Sequence, residues 1–232
     1  MMRLISTRTR TITALLLSSF LLSACSLSQS NPDQATWLVV PERSGAPRAH
    51  PVDFSIKMGN FSANSPFDGK SLVYRLSDNR YEKDFYNVYL SYPRDMVGNA
   101  TRDWLAKSNA FHLVVEQSST FFPLYQLQGV IDEFYGDYRG TPEAVVTIQF
   151  YASSSFSAKN FMFSSPRISK RVPLKDKSPQ ALVEGQQQAL AQVLAALETQ
   201  LVADAAKAPA PLKPIILRNS DTQSQPQSSS RN

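Results

Sequence analysis

Cysteine is nearly absent. Cys25 is the only one in 232 residues, so no intrachain disulfide can form and stability must come from packing. Histidine is almost as scarce: His50 and His112 lie far apart, and neither has a partner at metal-ligand spacing. Both read as surface or strand residues. The chain has no Gly-rich phosphate loop, no nucleophile elbow and no zinc pattern. Its one acidic cluster is Asp132-Glu133 with Asp137. Neighbours in a strand face opposite ways, so Asp132 and Glu133 are expected not to converge as an acid/base pair. No catalytic constellation is left, so neither an enzyme nor a cofactor or metal is expected.

Long apolar runs are missing too. The longest, Ile12 to Leu22, is interrupted by Thr13, Ser18 and Ser19 and falls short of the roughly 20 apolar residues a membrane helix needs. It follows Arg3, Arg8 and Arg10 and ends in small residues, the layout of a secretory signal peptide. Its exit, Leu22-Ser23-Ala24-Cys25, resembles the lipobox of bacterial lipoproteins. That resemblance implies cleavage before Cys25, diacylation of its thiol and usually acylation of the new amino terminus. One acyl chain holds a membrane only marginally, whereas two or more hold it stably. Cys25 is therefore the expected lipidation site and a permanent anchor.

Loss of residues 1–24 removes three arginines and no acid, lowering the formal charge from +5 to +2. No Lys/Arg-rich run survives, which removes most of the case for nucleic acid. Residues 25–36 are small and polar, a tether reaching at most about 36–40 Å when extended. Residues 37–206 suffice for one domain with a sizeable interior. Pro209, Pro211, Pro214 and Pro226, with a Gln/Ser-rich end, mark 207–232 as a disordered tail. Within it only Leu212 to Leu217 has docking character. Asn60-Phe61-Ser62 and Asn99-Ala100-Thr101 match the glycosylation sequon, but a lipobox implies a bacterial cell and they are discounted.

Strands are expected over 37–40, 52–61, 72–76, 86–92, 111–115, 125–135 and 144–153, with one more over 159–172 that Pro166 weakens. In 86–92, Tyr86, Val88, Leu90 and Tyr92 share one face; Asn87, Tyr89 and Ser91 share the other. Aromatics on both sides suggest a covered second face, under either a helix or a partner subunit. The segment 136–142 suits a hairpin turn. Pro93 opens a helix whose stripe is Met96, Val97, Ala100, Trp104 and Leu105. Ser178-Pro179 opens a longer one, with a stripe of Leu182, Gln186, Ala189, Leu190, Val193, Leu194, Leu197 and Leu201, and Gly185 as its weak point. The fold expected is α/β (α+β): a single domain with a mixed β-sheet, packed helices and a long C-terminal amphipathic helix.

Leu72-Val73-Tyr74-Arg75, Tyr81, the strand 86–92 and Pro93-Arg94-Asp95-Met96-Val97 together resemble the ABC-type transport auxiliary lipoprotein family. Trp104-Leu105, Asn109-Ala110-Phe111, Tyr125-Gln126-Leu127 with Ile131 and Phe134, and the last helix continue the likeness from about Trp37 to Val202. The family often carries Trp near the first helix entry, where Tyr89 or Tyr92 stands here. The resemblance implies a non-enzymatic accessory lipoprotein of an MCE-type (Mla/Pqi-like) ABC system for intermembrane lipid transport, without cofactor. Its partners would be an MCE-family protein and the outer membrane, with homo-oligomerisation left open. Ser26 is not the aspartate that retains lipoproteins at the inner membrane, so by that class rule the anchor lies in the outer membrane's periplasmic leaflet. The alternative is a stand-alone lipid- or glycan-binding or envelope-assembly lipoprotein with an aromatic pocket.

Overall fold

Two long neighbouring strands form the centre of the molecule. The computed structural model describes residues 33–121, 123, 125–154 and 161–208, and the described residues from Thr36 onward form one compact unit. In chain order the elements are β1 (Ala35–Trp37), β2 (Val52–Ala63), β3 (Ser71–Arg75), β4 (Tyr81–Tyr89), α1 (Pro93–Ser108), β5 (Phe111–Val115), β6 (Tyr125–Asp137), β7 (Glu143–Ser154), β8 (Phe161–Ser164), β9 (Arg167–Pro173) and α2 (Pro179–Asp204). A 3₁₀ turn, Ala205–Lys207, follows α2. The nine described strands make one mixed sheet.

β6 pairs antiparallel with β7 along its whole length. Its other edge is divided: Tyr125 to Ile131 run parallel to β2, and Gly136 and Asp137 run parallel to β3. A bulge between Ile131 and Glu133 separates the two regions. From β2 the sheet continues in parallel to β5, and from β3 to β4 and then β1. On the far side of β7, β9 pairs with Glu143–Gln149 and β8 with Ala152–Ser154. The sheet is therefore mixed, as expected.

Alternation fixes which side each strand buries. In β2, Ile56 and Met58 are buried while Ser55 and Lys57 are only partly covered. Leu127, Ile131, Phe134, Val146, Ile148 and Phe150 of β6 and β7 belong to one core with every apolar member of the α2 stripe. Complete burial of each such Leu or Ile contributes about 2 kcal/mol. Ser178 caps α2, its Oγ accepting from Ala181 N at 3.1 Å, and Pro179 occupies the first turn. α1 ends at Asn109, whose φ of 51° reverses the chain; Asn tolerates this left-handed conformation better than most residues.

Several expected boundaries shift. β1 lies at 35–37 instead of 37–40. The strand expected over 86–92 is β4, Tyr81–Tyr89, because Pro93 and the turn before it end the ladder early. β6 runs on to Asp137, leaving 138–142 as the turn. The single strand over 159–172 becomes β8 and β9, since Pro166 lacks the N–H a continuous ladder needs. Gly185 is not a weak point: a Cβ there would lie 2.2 Å from Leu174 Cδ2 and 2.9 Å from Ala144 Cβ. Its missing side chain lets α2 approach β7 closely.

Candidate interaction surface

The edge formed by β1 and β4 carries the most exposed aromatic side chains. On β3, Val73 and Ser71 are two residues apart, yet their partners Lys83 and Val88 on β4 are five apart. The surplus residues leave the ladder as a bulge. Asp84 organises it. Its Oδ1 accepts from Tyr86 N at 2.8 Å and Asn87 N at 2.9 Å. Its Oδ2 accepts from Tyr74 OH at 2.7 Å and Asn87 Nδ2 at 3.0 Å. Asn87 Oδ1 in turn accepts from Trp37 Nε1 at 3.0 Å. Partial burial pulls the Asp84 carboxyl upward, but its four donors outweigh this and hold it below the usual range. Burial and the bond to Asp84 raise the Tyr74 phenol well above its ordinary value.

This network pushes Phe85 and Tyr86 outward, 61% and 57% exposed, with their rings edge-to-face at 5.3 Å. Further along the same edge Leu90 N donates to Trp37 O at 2.7 Å, and the Leu90 side chain is exposed. Tyr92 is exposed as well, with Lys70 Nζ 5.2 Å and the Arg94 guanidinium 4.4 Å from its ring centroid. Leu38 and Val40, just after β1, are likewise exposed. They border a cavity of about 220 Å³ against α1, beside Met96, Ala100 and Trp104.

Beneath that cavity three segments meet at Glu198 of α2. Arg43 Nε and Nη2 donate to its two oxygens at 3.3 and 3.2 Å, and Trp104 Nε1 donates at 2.9 Å. Tyr89 points inward, 2% exposed. Its hydroxyl donates to Gln186 Oε1 at 2.9 Å, and burial raises its pKa strongly. The covered face of the strand therefore lies under α2, while Tyr86, Leu90 and Tyr92 lie exposed. Of Tyr89 and Tyr92, the two candidates near the first helix entry, Tyr89 is the buried one.

The acids of β6 and the end of α2 are each held by hydrogen bonds. Both Asp132 and Glu133 reach the sheet face away from the helices, because the bulge between Ile131 and Glu133 breaks strict alternation. The expectation that they point apart is corrected there, yet each has separate partners. Asp132 accepts from Asn64 Nδ2 at 3.0 Å and Arg167 Nε at 2.9 Å; Glu133 accepts from Thr147 Oγ1 at 2.5 Å. Asp137 is held well below the usual carboxylate range, first by Arg139 and also by Arg171, against the effect of burial. Asp204 ends α2, where the helix dipole disfavours an acid. Bonds from Gln200, Lys207 and Ser164 lower its pKa from 3.8 to about 2. His50 and His112 are exposed, and among the described residues no three His, Cys, Asp or Glu cluster as metal ligands.

Cys25, the expected lipidation site, and Leu212–Leu217, the tail segment with docking character, lie outside the described residues. Trp104, Tyr125, Phe134, Tyr135, Phe150 and Phe163 are core residues, whereas Phe121 and Phe161 are exposed with Tyr86 and Tyr92. Phe85, just before the strand expected over 86–92, is exposed too. Its signal is Asp84-Phe85-Tyr86-Asn87: two adjacent aromatics cannot share one strand face, and Asp and Asn bond nearby backbone readily.

A family model described as "ABC-type transport auxiliary lipoprotein component" matches residues 38–198, well over half of the chain. The chain belongs to this family. It is similar in fold to protein XCC0632 from Xanthomonas campestris, with a TM-score of 0.64 at 18% identity, covering 75% of this chain and 98% of that one. It also resembles the crystal structure of an uncharacterized protein, with a TM-score of 0.57 at 13% identity and coverage of 73% and 99%. No curated protein sequence matches the chain. Membership makes the protein an auxiliary lipoprotein of an ABC transport system, anchored to a membrane of the cell envelope. Among the described residues no helix is long and apolar enough to cross a membrane.

Proposed function

We propose that the protein is a non-enzymatic docking component of an MCE-type ABC system for lipid transport between membranes. Cys25 carries the lipid anchor, and Ser26 after it directs the chain to the outer membrane's periplasmic leaflet. The domain then receives the periplasmic end of an MCE-protein assembly and fixes one end of a lipid path. The observation carrying this reading is the family match across residues 38–198. It is supported by the engagement of Asp84, Asp132, Glu133, Asp137 and Glu198 in structural bonds.

A groove of about 610 Å³ lies between β2 and α1, where Arg94, Asp95, Arg102 and Glu116 stand beside Met58 and Phe61. Charged walls fit an acyl chain poorly, which weighs against a lipid- or glycan-binding alternative at this place. Its aromatic, Phe61, is 8% exposed, too covered to stack on a sugar ring.

Crosslinking in intact cells is expected to recover an MCE protein, and deletion of the gene is expected to sensitise cells to detergents. No MCE adduct together with unchanged permeability would overturn the reading.

A further inference from the structure

We propose that the β1–β4 edge lies against the lipid headgroup layer of the membrane that holds the anchor. The inference rests on lipidation of Cys25, but not on the MCE partner. Three observations lead to it. The first is where the anchored segment enters the domain. Cys25 to Thr36 is twelve residues, at most about 40 Å of chain, and it leads into Trp37, which is bonded to Leu90 and Asn87 of this edge. The edge is thus kept within a short distance of the bilayer.

The second observation is its chemistry. Phe85, Tyr86, Leu90 and Tyr92 are exposed, and Lys70 and Arg94 lie over the Tyr92 ring. Aromatic rings with apolar bodies and polar tips, accompanied by cations, concentrate at the boundary between headgroups and acyl chains. Anionic lipid adds attraction to the two cations. Lys70 Nζ also donates to Leu90 O at 3.1 Å, which places it at this edge, whereas Arg94 is shared between the Tyr92 ring and Asp95, 3.5 Å from its Nε.

Shape supplies the third. Phe85 and Tyr86 project from a bulge fixed by four hydrogen bonds to Asp84. A fixed protrusion requires a matching pocket in a protein partner, whereas a fluid headgroup layer accepts it without one.

The test uses the full lipidated protein in vesicles of phosphatidylethanolamine and phosphatidylglycerol doped with phospholipid brominated near the headgroup end of the acyl chain. Two reporters are compared: Tyr86→Trp, and Leu113→Trp on β5 at the opposite end of the sheet order. After subtraction of the Trp37 and Trp104 emission of the unsubstituted protein in the same vesicles, emission from the first should fall at least twofold more than from the second, and adding Phe85→Ser should reduce that difference. Equal quenching of the two reporters, or none at position 86, overturns the proposal.

Mass spectrometry of the membrane-extracted protein tests the anchor separately. If Cys25 carries no acyl chain, flotation of that protein with the same vesicles reads the edge alone. A fivefold or greater loss on Phe85→Ser/Tyr86→Ser supports the proposal, and unchanged flotation overturns it. Self-association that the same double substitution abolishes would also overturn it, by assigning the edge to a second copy.

Discussion

Glu198 is a carboxylate within a stripe of leucines, which burial alone would not favour. It is retained because two segments distant in sequence supply its donors: Arg43 after β1 and Trp104 of α1. Arg43 is held in turn, with Nη1 donating to Gly45 O at 2.9 Å and its guanidinium 5.9 Å from the Trp104 ring centroid. Both members of the ion pair are nearly covered, at 12% and 11% side-chain exposure. Arg43→Ala would leave Glu198 with one donor and little water, so a loss of about 3 kcal/mol is expected in urea unfolding at neutral pH. Replacing both residues by leucine should cost less than Arg43→Ala alone, because the stranded charge is then absent. A double-mutant cycle reads that difference.

At the scale of elements, the contact between α2 and β7 depends on Gly185. In an isolated helix Gly→Ala gains about 1 kcal/mol. Here the new Cβ would meet Ala144 Cβ at 2.9 Å, a position without rotamer freedom, as well as Leu174 Cδ2. Gly185→Ala is therefore expected to destabilise by about 1–3 kcal/mol, with Leu174→Ala relieving only part of it; thermal unfolding checks both. From sequence Gly185 reads as a propensity defect, because the reason for it lies on β7, about forty residues earlier in the chain. The helices themselves were legible: caps, prolines and 3.6-residue stripes depend on nearby residues. The alternating strand over 52–58 was legible too, as was the apolar run over 144–150. What escaped depends on pairing. The break of parity at Asp132 arises from register with β7, and nothing within four residues announces it. The Asp84 bulge has a local mark in Asp84-Phe85-Tyr86-Asn87, but the size of its register shift against β3 has none. For the interaction surface, Tyr86 and Tyr92 could be named in advance, whereas Phe85 could not be placed outside the ladder.

For the whole molecule, the division of one β6 edge between β2 and β3 has a kinetic consequence. β6 and β7 are joined by a short turn, so their ladder closes a small loop. The parallel pairing of β2 with β6 sets Ile56 opposite Tyr125 and must close a loop of about seventy residues. Sequence-distant pairings of this kind are slow, and they need β6 already extended as a template on which β2 and β3 can add. The β6–β7 hairpin, backed by α2, should thus be structured in the folding transition state before either parallel ladder. Ile148→Val is then expected to slow refolding in proportion to the stability it removes, and Ile56→Val mainly to accelerate unfolding. Stopped-flow refolding and unfolding limbs distinguish the two, and equal partitioning for both residues would refute that order. The strand that is central in space is thus also expected to come first in time.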